Sequence, residues 1–308
     1  MKSYQRLGLI ILISLLLSCL ISPVADFVLQ FLRGLSPGMH RALDFPFDRV
    51  MRRVVLVVTI LLFYIARAKL EIVSLASIGM RREPGWRSLL GRGWILGTCS
   101  LALMLFIMVL FGSRRPETSF SGAWDLARQL VIAFLAGAVV GFIEEPFFRG
   151  FILQSLFKNL RRSTAVVSMS LFFAIVHFFN ASDMPASHGS HPLLGFKALA
   201  YFFQPLLSPS EVIPGFIGLF LVSIVLTYAY LRTGSLYLSI GLHAGWVFGI
   251  KAESLFFDRM NHVAPWFFGD GRVVTGVFGW IMLLLMLLVV RCFIPRGTTP
   301  PLPQSVRD

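Results

Sequence analysis

Apolar runs of membrane-spanning length, separated by short polar connections, constrain this chain more than any other feature. About eight runs qualify, at 7–24, 54–70, 93–112, 129–148, 164–179, 213–231, 235–251 and 273–294. Crossing roughly 30 Å of hydrocarbon takes about 20 apolar residues as a helix, and backbone polar groups must bond internally there, which leaves helices or a closed barrel. The runs do not alternate, so helices are expected. A composition of 56% hydrophobic and 14% charged residues, with a mean hydropathy of +0.77, lies far from a soluble domain. The expected fold is all-α, one polytopic bundle of about eight transmembrane helices with any site between helices.

The net charge of +13 invites a nucleic-acid partner, but the basic residues fall in short connections and form no groove-sized patch. Membrane orientation explains them better. Arg67, Lys69, Arg81, Arg82, Arg87 and Arg92 follow the second run, and Lys158, Arg161 and Arg162 follow the fourth. Those loops are expected in the cytoplasm, and an even number of spans then puts both termini there, in a bacterial inner (plasma) membrane. The connection at 33–53, with Arg33, Arg41, Arg49, Arg52 and Arg53, breaks the pattern and reads as an interfacial helix. Lys2 and Arg6 precede a first run that resembles a cleavable signal, and Leu17-Ser18-Cys19 resembles a lipoprotein site, yet a retained span is expected. Cys19, Cys99 and Cys292 have no paired spacing and read as small buried hydrophobes.

Glu144 and Glu145 sit inside the fourth run with Arg149 one turn on. Charge in mid-membrane costs roughly 2.5 to 3.5 kcal/mol per residue on insertion scales, which makes the pair a functional hypothesis by default. Residues four apart share a helix face, so Glu145 and Arg149 are expected to pair, leaving Glu144 to find another partner. Pro146 removes the donor for the Phe142 carbonyl and predicts a kink beside the carboxylates. Of six histidines, His177 and His243 fall in apolar runs, while His40, His188, His191 and His262 fall in loops. Each of the two can be a satisfied core histidine. Together with the glutamates and the arginine, however, they draw polar groups from three runs that are expected to converge as a hydrolytic site.

Glu144-Glu145-Pro146-Phe147-Phe148-Arg149-Gly150, then Phe173-Ala174-Ile175-Val176-His177 with Asn180 three further on, then Gly241-Leu242-His243-Ala244-Gly245-Trp246, resemble three motifs of one family. That family is CPBP (CAAX protease and bacteriocin-processing, also ABI), with the type II CAAX prenyl endopeptidases among its members. Its pattern is E-E-x-x-x-R, F-x-x-x-H and H-x-x-x-N/D on successive membrane helices, and the resemblance covers roughly 130–250. It implies an intramembrane glutamic-type endopeptidase with no cofactor, acting on a membrane-associated protein or peptide in the lipid bilayer and on no nucleic acid. Glu144 with His177 would activate water, His243 would stabilise the tetrahedral intermediate, and Glu145, Arg149, Asn180 and Phe173 would support them. The corresponding division of the chain is 1–128 for N-terminal helices, 129–251 for the protease-like core, 252–295 for a loop and last helix, and 296–308 for a disordered tail.

The sequence departs from the pattern at Val247, where the family has Asn or Asp. Valine donates no hydrogen bond, and loss of one oxyanion donor costs on the order of 100 to 1,000-fold in rate. Zinc hydrolysis is the rival chemistry, with Glu144, His177 and His243 as a three-ligand set, although no H-E-x-x-H helix is present. A proton or cation relay through the same residues, or an immunity protein that binds without cutting, are the non-enzymatic alternatives. The connection at 180–214, with Phe196-Lys-Ala-Leu-Ala-Tyr-Phe-Phe203, reads as a re-entrant or interfacial segment.

Overall fold

The computed structural model describes residues 2–36, 38, 43–70, 74–179, 191, 193–260, 262–270 and 273–297. Its helices are α1 (Ser3–Arg33), α2 (Phe47–Ala66), α3 (Trp86–Leu110), α4 (Ala123–Glu145), α5 (Gln154–Phe157), α6 (Arg162–Val176), α7 (Leu194–Phe203), α8 (Pro209–Thr233), α9 (Leu236–Phe256), α10 (Pro265–Phe268) and α11 (Val277–Phe293). Every expected span coincides with a helix, so the chain is an all-α polytopic membrane protein. Among the described residues, four helices are long and apolar enough to cross a membrane, at Ser3–Arg33, Trp86–Leu110, Ala123–Phe157 and Pro209–Thr233. Two shorter apolar helices, α6 and α11, join them. α9 falls outside both groups because Ser239, His243, Lys251 and Glu253 make it less apolar, and its first half, Leu236 to Trp246, is buried within the protein.

The chain forms two compact units, Met1–Glu71 with Ile175–Val212, and Ile72–Ala174 with Ile213–Asp308. In the first, α1 runs antiparallel to α2, and Cys19, Phe47 and Met51 pack with Leu194, Ala198 and Phe202 of α7. The expected re-entrant or interfacial segment is thus in part a helix seated on α1; 180–190 and 192 lie outside the described residues. Pro23 leaves the Cys19 carbonyl without its helical donor, and Gly195 packs against that carbonyl so closely that a Cβ would stand 1.9 Å from it. α2 begins at Phe47, which corrects the reading of 33–53 as a loop with an interfacial helix. Arg49, Arg52 and Arg53 occupy its first turns, where Arg52 pairs with Asp48 at 2.7 Å and Arg53 lies over the Phe45 ring.

The second unit is built on α9, which lies between α3 and α4. All three helices carry glycines four residues apart where they meet: Gly93 and Gly97, Gly137 and Gly141, Gly241 and Gly245. Such spacing lets helix backbones touch, and membrane helices gain van der Waals contact that lipid tails do not supply. A Cβ at Gly241 would stand 2.1 Å from the Leu90 carbonyl oxygen, and one at Gly137 2.5 Å from that of Ala244. Gly241→Ala therefore lowers stability by about 1 to 3 kcal/mol, whereas Gly91→Ala, with open space around it, lowers it not at all. Thermal unfolding in detergent checks the contrast.

Beyond α3, Arg114–Pro116 pairs antiparallel with Phe257–Arg259, a two-stranded ladder that was not expected. Beneath it Arg114 donates to Glu253 at 2.7 Å in a buried ion pair, and Arg259 reaches the other Glu253 oxygen at 3.2 Å. Cys19 is buried as expected, but Cys99 and Cys292 are exposed, on helix faces that no protein covers. Of the expected disordered tail, Gly297 donates its N–H to the Arg232 carbonyl, and 298–308 lie outside the described residues.

Candidate active site

Glu145 ends α4 on the same face as Gly137 and Gly141, the face turned toward α9. From Pro146 the helix does not break but widens, running as a π-helix over Pro146–Leu153 before α5 resumes α geometry. The predicted disturbance at Pro146 thus takes the form of a wide turn, a feature that recurs at functional sites. Glu145 and Arg149 form the expected ion pair, Nη1 to Oε1 at 2.9 Å, with both side chains 0% exposed. The other guanidinium nitrogen, Nη2, donates to the carbonyl and hydroxyl oxygens of Ser223 on α8 at 3.2 and 3.1 Å. The Phe173 ring on α6 covers the guanidinium, its centroid 4.8 Å from Cζ.

Glu145 does not answer to Arg149 alone. The same Oε1 lies 2.9 Å from Nδ1 of His243 on α9. A carboxylate oxygen only accepts, so Nδ1 carries the hydrogen and donates it. The imidazole is thereby fixed with Nε2 toward Glu144, 4.0 Å from its Oε2. That separation is too long for a direct hydrogen bond and suits one bridging oxygen. Glu144, with 28% of its side chain exposed, is the accessible carboxylate of the two, while His243 at 8% is enclosed. Phe173 also stands edge-on to the His243 ring, centroids 6.3 Å apart.

Four-residue spacing assigns Glu145 to Arg149 and leaves Glu144 to another partner; the structure brings His243 to Glu145 directly and to within 4.0 Å of Glu144. His177 lies in the turn just after α6, exposed, and belongs to the first unit. Asn180 lies outside the described residues.

Residues 126–249 match the family model described as Type II CAAX prenyl endopeptidase Rce1-like. That segment is similar to the Rce1-like family. It runs from α4 into α9 and so contains Glu144, Glu145, Arg149, Phe173, His177 and His243. No curated protein and no solved structure matches the chain. Within the described residues of the Rce1-like segment and outside it, no group of three or more His, Cys, Asp or Glu side chains is placed to hold a metal ion. Nδ1 of His243 is taken up by Glu145.

Ser223 is a site residue that sequence reasoning missed in the Rce1-like segment. It is a buried hydroxyl in an apolar helix with no motif around it, and its only signal is that polarity. Ser223→Ala removes one of the two acceptors for Nη2 and leaves the carbonyl in place. The expected cost is about 1 kcal/mol of stability, read by thermal unfolding in detergent.

Proposed function

We propose that this chain is an intramembrane endopeptidase that hydrolyses a peptide bond of a membrane-associated protein or peptide. The observation that carries the reading is Glu145 holding His243 so that Nε2 faces the accessible carboxylate of Glu144, inside an Rce1-like segment. Glu144 takes a proton from water, and the resulting hydroxide attacks the scissile carbonyl carbon. Negative charge develops on the carbonyl oxygen, opposite His243. With Nδ1–H given to Glu145, a hydrogen on Nε2 makes the ring an imidazolium, whose charge Glu145 balances while Nε2–H donates to that oxygen. Collapse of the intermediate breaks the C–N bond, and Glu144 returns its proton to the leaving amine. The Arg149 pair with Glu145 holds the second carboxylate in register.

His177 enters this reading through its motif position alone, as the residue that assists Glu144. The basic loops at 67–92 and 158–162 support cytoplasmic termini. Reconstituted chain tested against a membrane-tethered peptide, with ion flux followed in the same liposomes, separates the classes. Cleavage without flux supports the proposal; flux without cleavage overturns it.

Val247 lies half-buried one turn beyond His243 on α9. An amide there supplies a second donor on the His243 face. Val247→Asn is expected to raise kcat by up to about 100-fold, the reciprocal of losing one oxyanion donor, and single-turnover rates decide it.

A further inference from the structure

In the first unit, away from the glutamates, α1 and α2 leave between them a groove of about 400 Å³. That size lies at the low end of the roughly 300 to 1,000 Å³ typical of small-ligand sites. Its α1 wall is Arg6, Leu9, Ile10 and Ile13, and its α2 side is Leu62, Ile65, Ala66 and Lys69. Each set follows the i, i+3, i+4, i+7 spacing of one helix face. The helices are antiparallel, so the cation that opens the first set and the cation that closes the second come to the same end. Arg6 donates from Nη1 to the Lys69 carbonyl at 2.6 Å, which ties the two helix ends together there, and the Lys69 side chain lines the groove and is exposed. Lys2 and Arg67 stand at the same ends of the two helices, and among the described residues no acidic side chain lines the groove.

We propose that this groove binds an anionic phospholipid, an acyl chain lying along the leucine and isoleucine walls and the phosphate meeting Arg6 and Lys69. An apolar trough open to the bilayer with cations at one end is complementary to that amphiphile and not to a zwitterionic lipid, whose own cation opposes them. The site is independent of the proteolytic reading, and binding rather than cleavage tests it.

Full-length chain, stripped of lipid in detergent, is titrated with phosphatidylglycerol, phosphatidylcholine or inorganic phosphate and followed by native mass spectrometry. The expected result is preferential retention of phosphatidylglycerol. Lys69→Gln, a change in an exposed side chain, lowers that preference about 5-fold, and Arg6→Gln with Lys69→Gln about 30-fold. Equal retention of the two lipids, a preference that survives the double substitution, or displacement of phosphatidylglycerol by inorganic phosphate would each overturn the proposal.

Discussion

Glu144→Gln slows peptide cleavage by at least ~100-fold in a chain that still inserts and still unfolds at the unsubstituted temperature. The amide keeps the shape of the carboxylate and loses its basicity, and general-base catalysis is worth typically 100 to 10,000-fold. Glu144 is the carboxylate for which such a result is expected, because it is accessible while Glu145 is sealed between Arg149 and His243. Single-turnover cleavage of a membrane-tethered peptide gives the rate, and protease protection reports insertion. A Glu144→Gln chain that cleaves at the normal rate removes the proposed base and with it the mechanism.

Arg149→Leu acts on the fold first. Removing one partner of a buried ion pair strands the other charge, at a cost of about 3 to 5 kcal/mol, and here both partners are fully enclosed. Glu145→Leu combined with Arg149→Leu recovers most of that stability, since an apolar replacement of the whole pair leaves no stranded charge. The recovered double variant still fails to cleave, because His243 has lost the acceptor that holds its Nδ1. Chemical unfolding in detergent of the two single variants and the double variant tests the coupling. Additive losses would show that the pair is not a unit.

Local features were legible where the physics is local. The four-residue spacing of Glu145 and Arg149 was enough to expect their ion pair, and Pro146 was enough to expect a disturbed helix. The extent of the wide turn was not, because its i→i+5 bonding depends on what packs around 146–153. The contact between Glu145 and His243 joins residues 98 positions apart and depends on how α4 meets α9. Its signal was nonetheless present, as glycines at four-residue intervals on three helices, and hydropathy alone does not weigh them. The Arg114 ladder was missed because three-residue strands carry no alternation to read. The start of α2 was missed because its arginines were counted as loop charge, whereas a first turn accommodates them through Asp48 and Phe45.

The wide turn also sets the angular phase between the two halves of its helix. Upstream, the phase presents Gly137, Gly141 and Glu145 to α9; downstream, it brings Gln154 to the Tyr230 hydroxyl on α8. Each residue in a helix advances the face by about 100°, so the extra length taken up between 146 and 153 works as a gear that lets one rod serve two neighbours. Deleting a single residue between 150 and 153 would leave the carboxylates seated and turn Gln154 away from its partner. A chain of this design can therefore lose the Gln154–Tyr230 contact while Arg149 keeps its hold on Ser223, with no change in the chemistry of the residues that line the site.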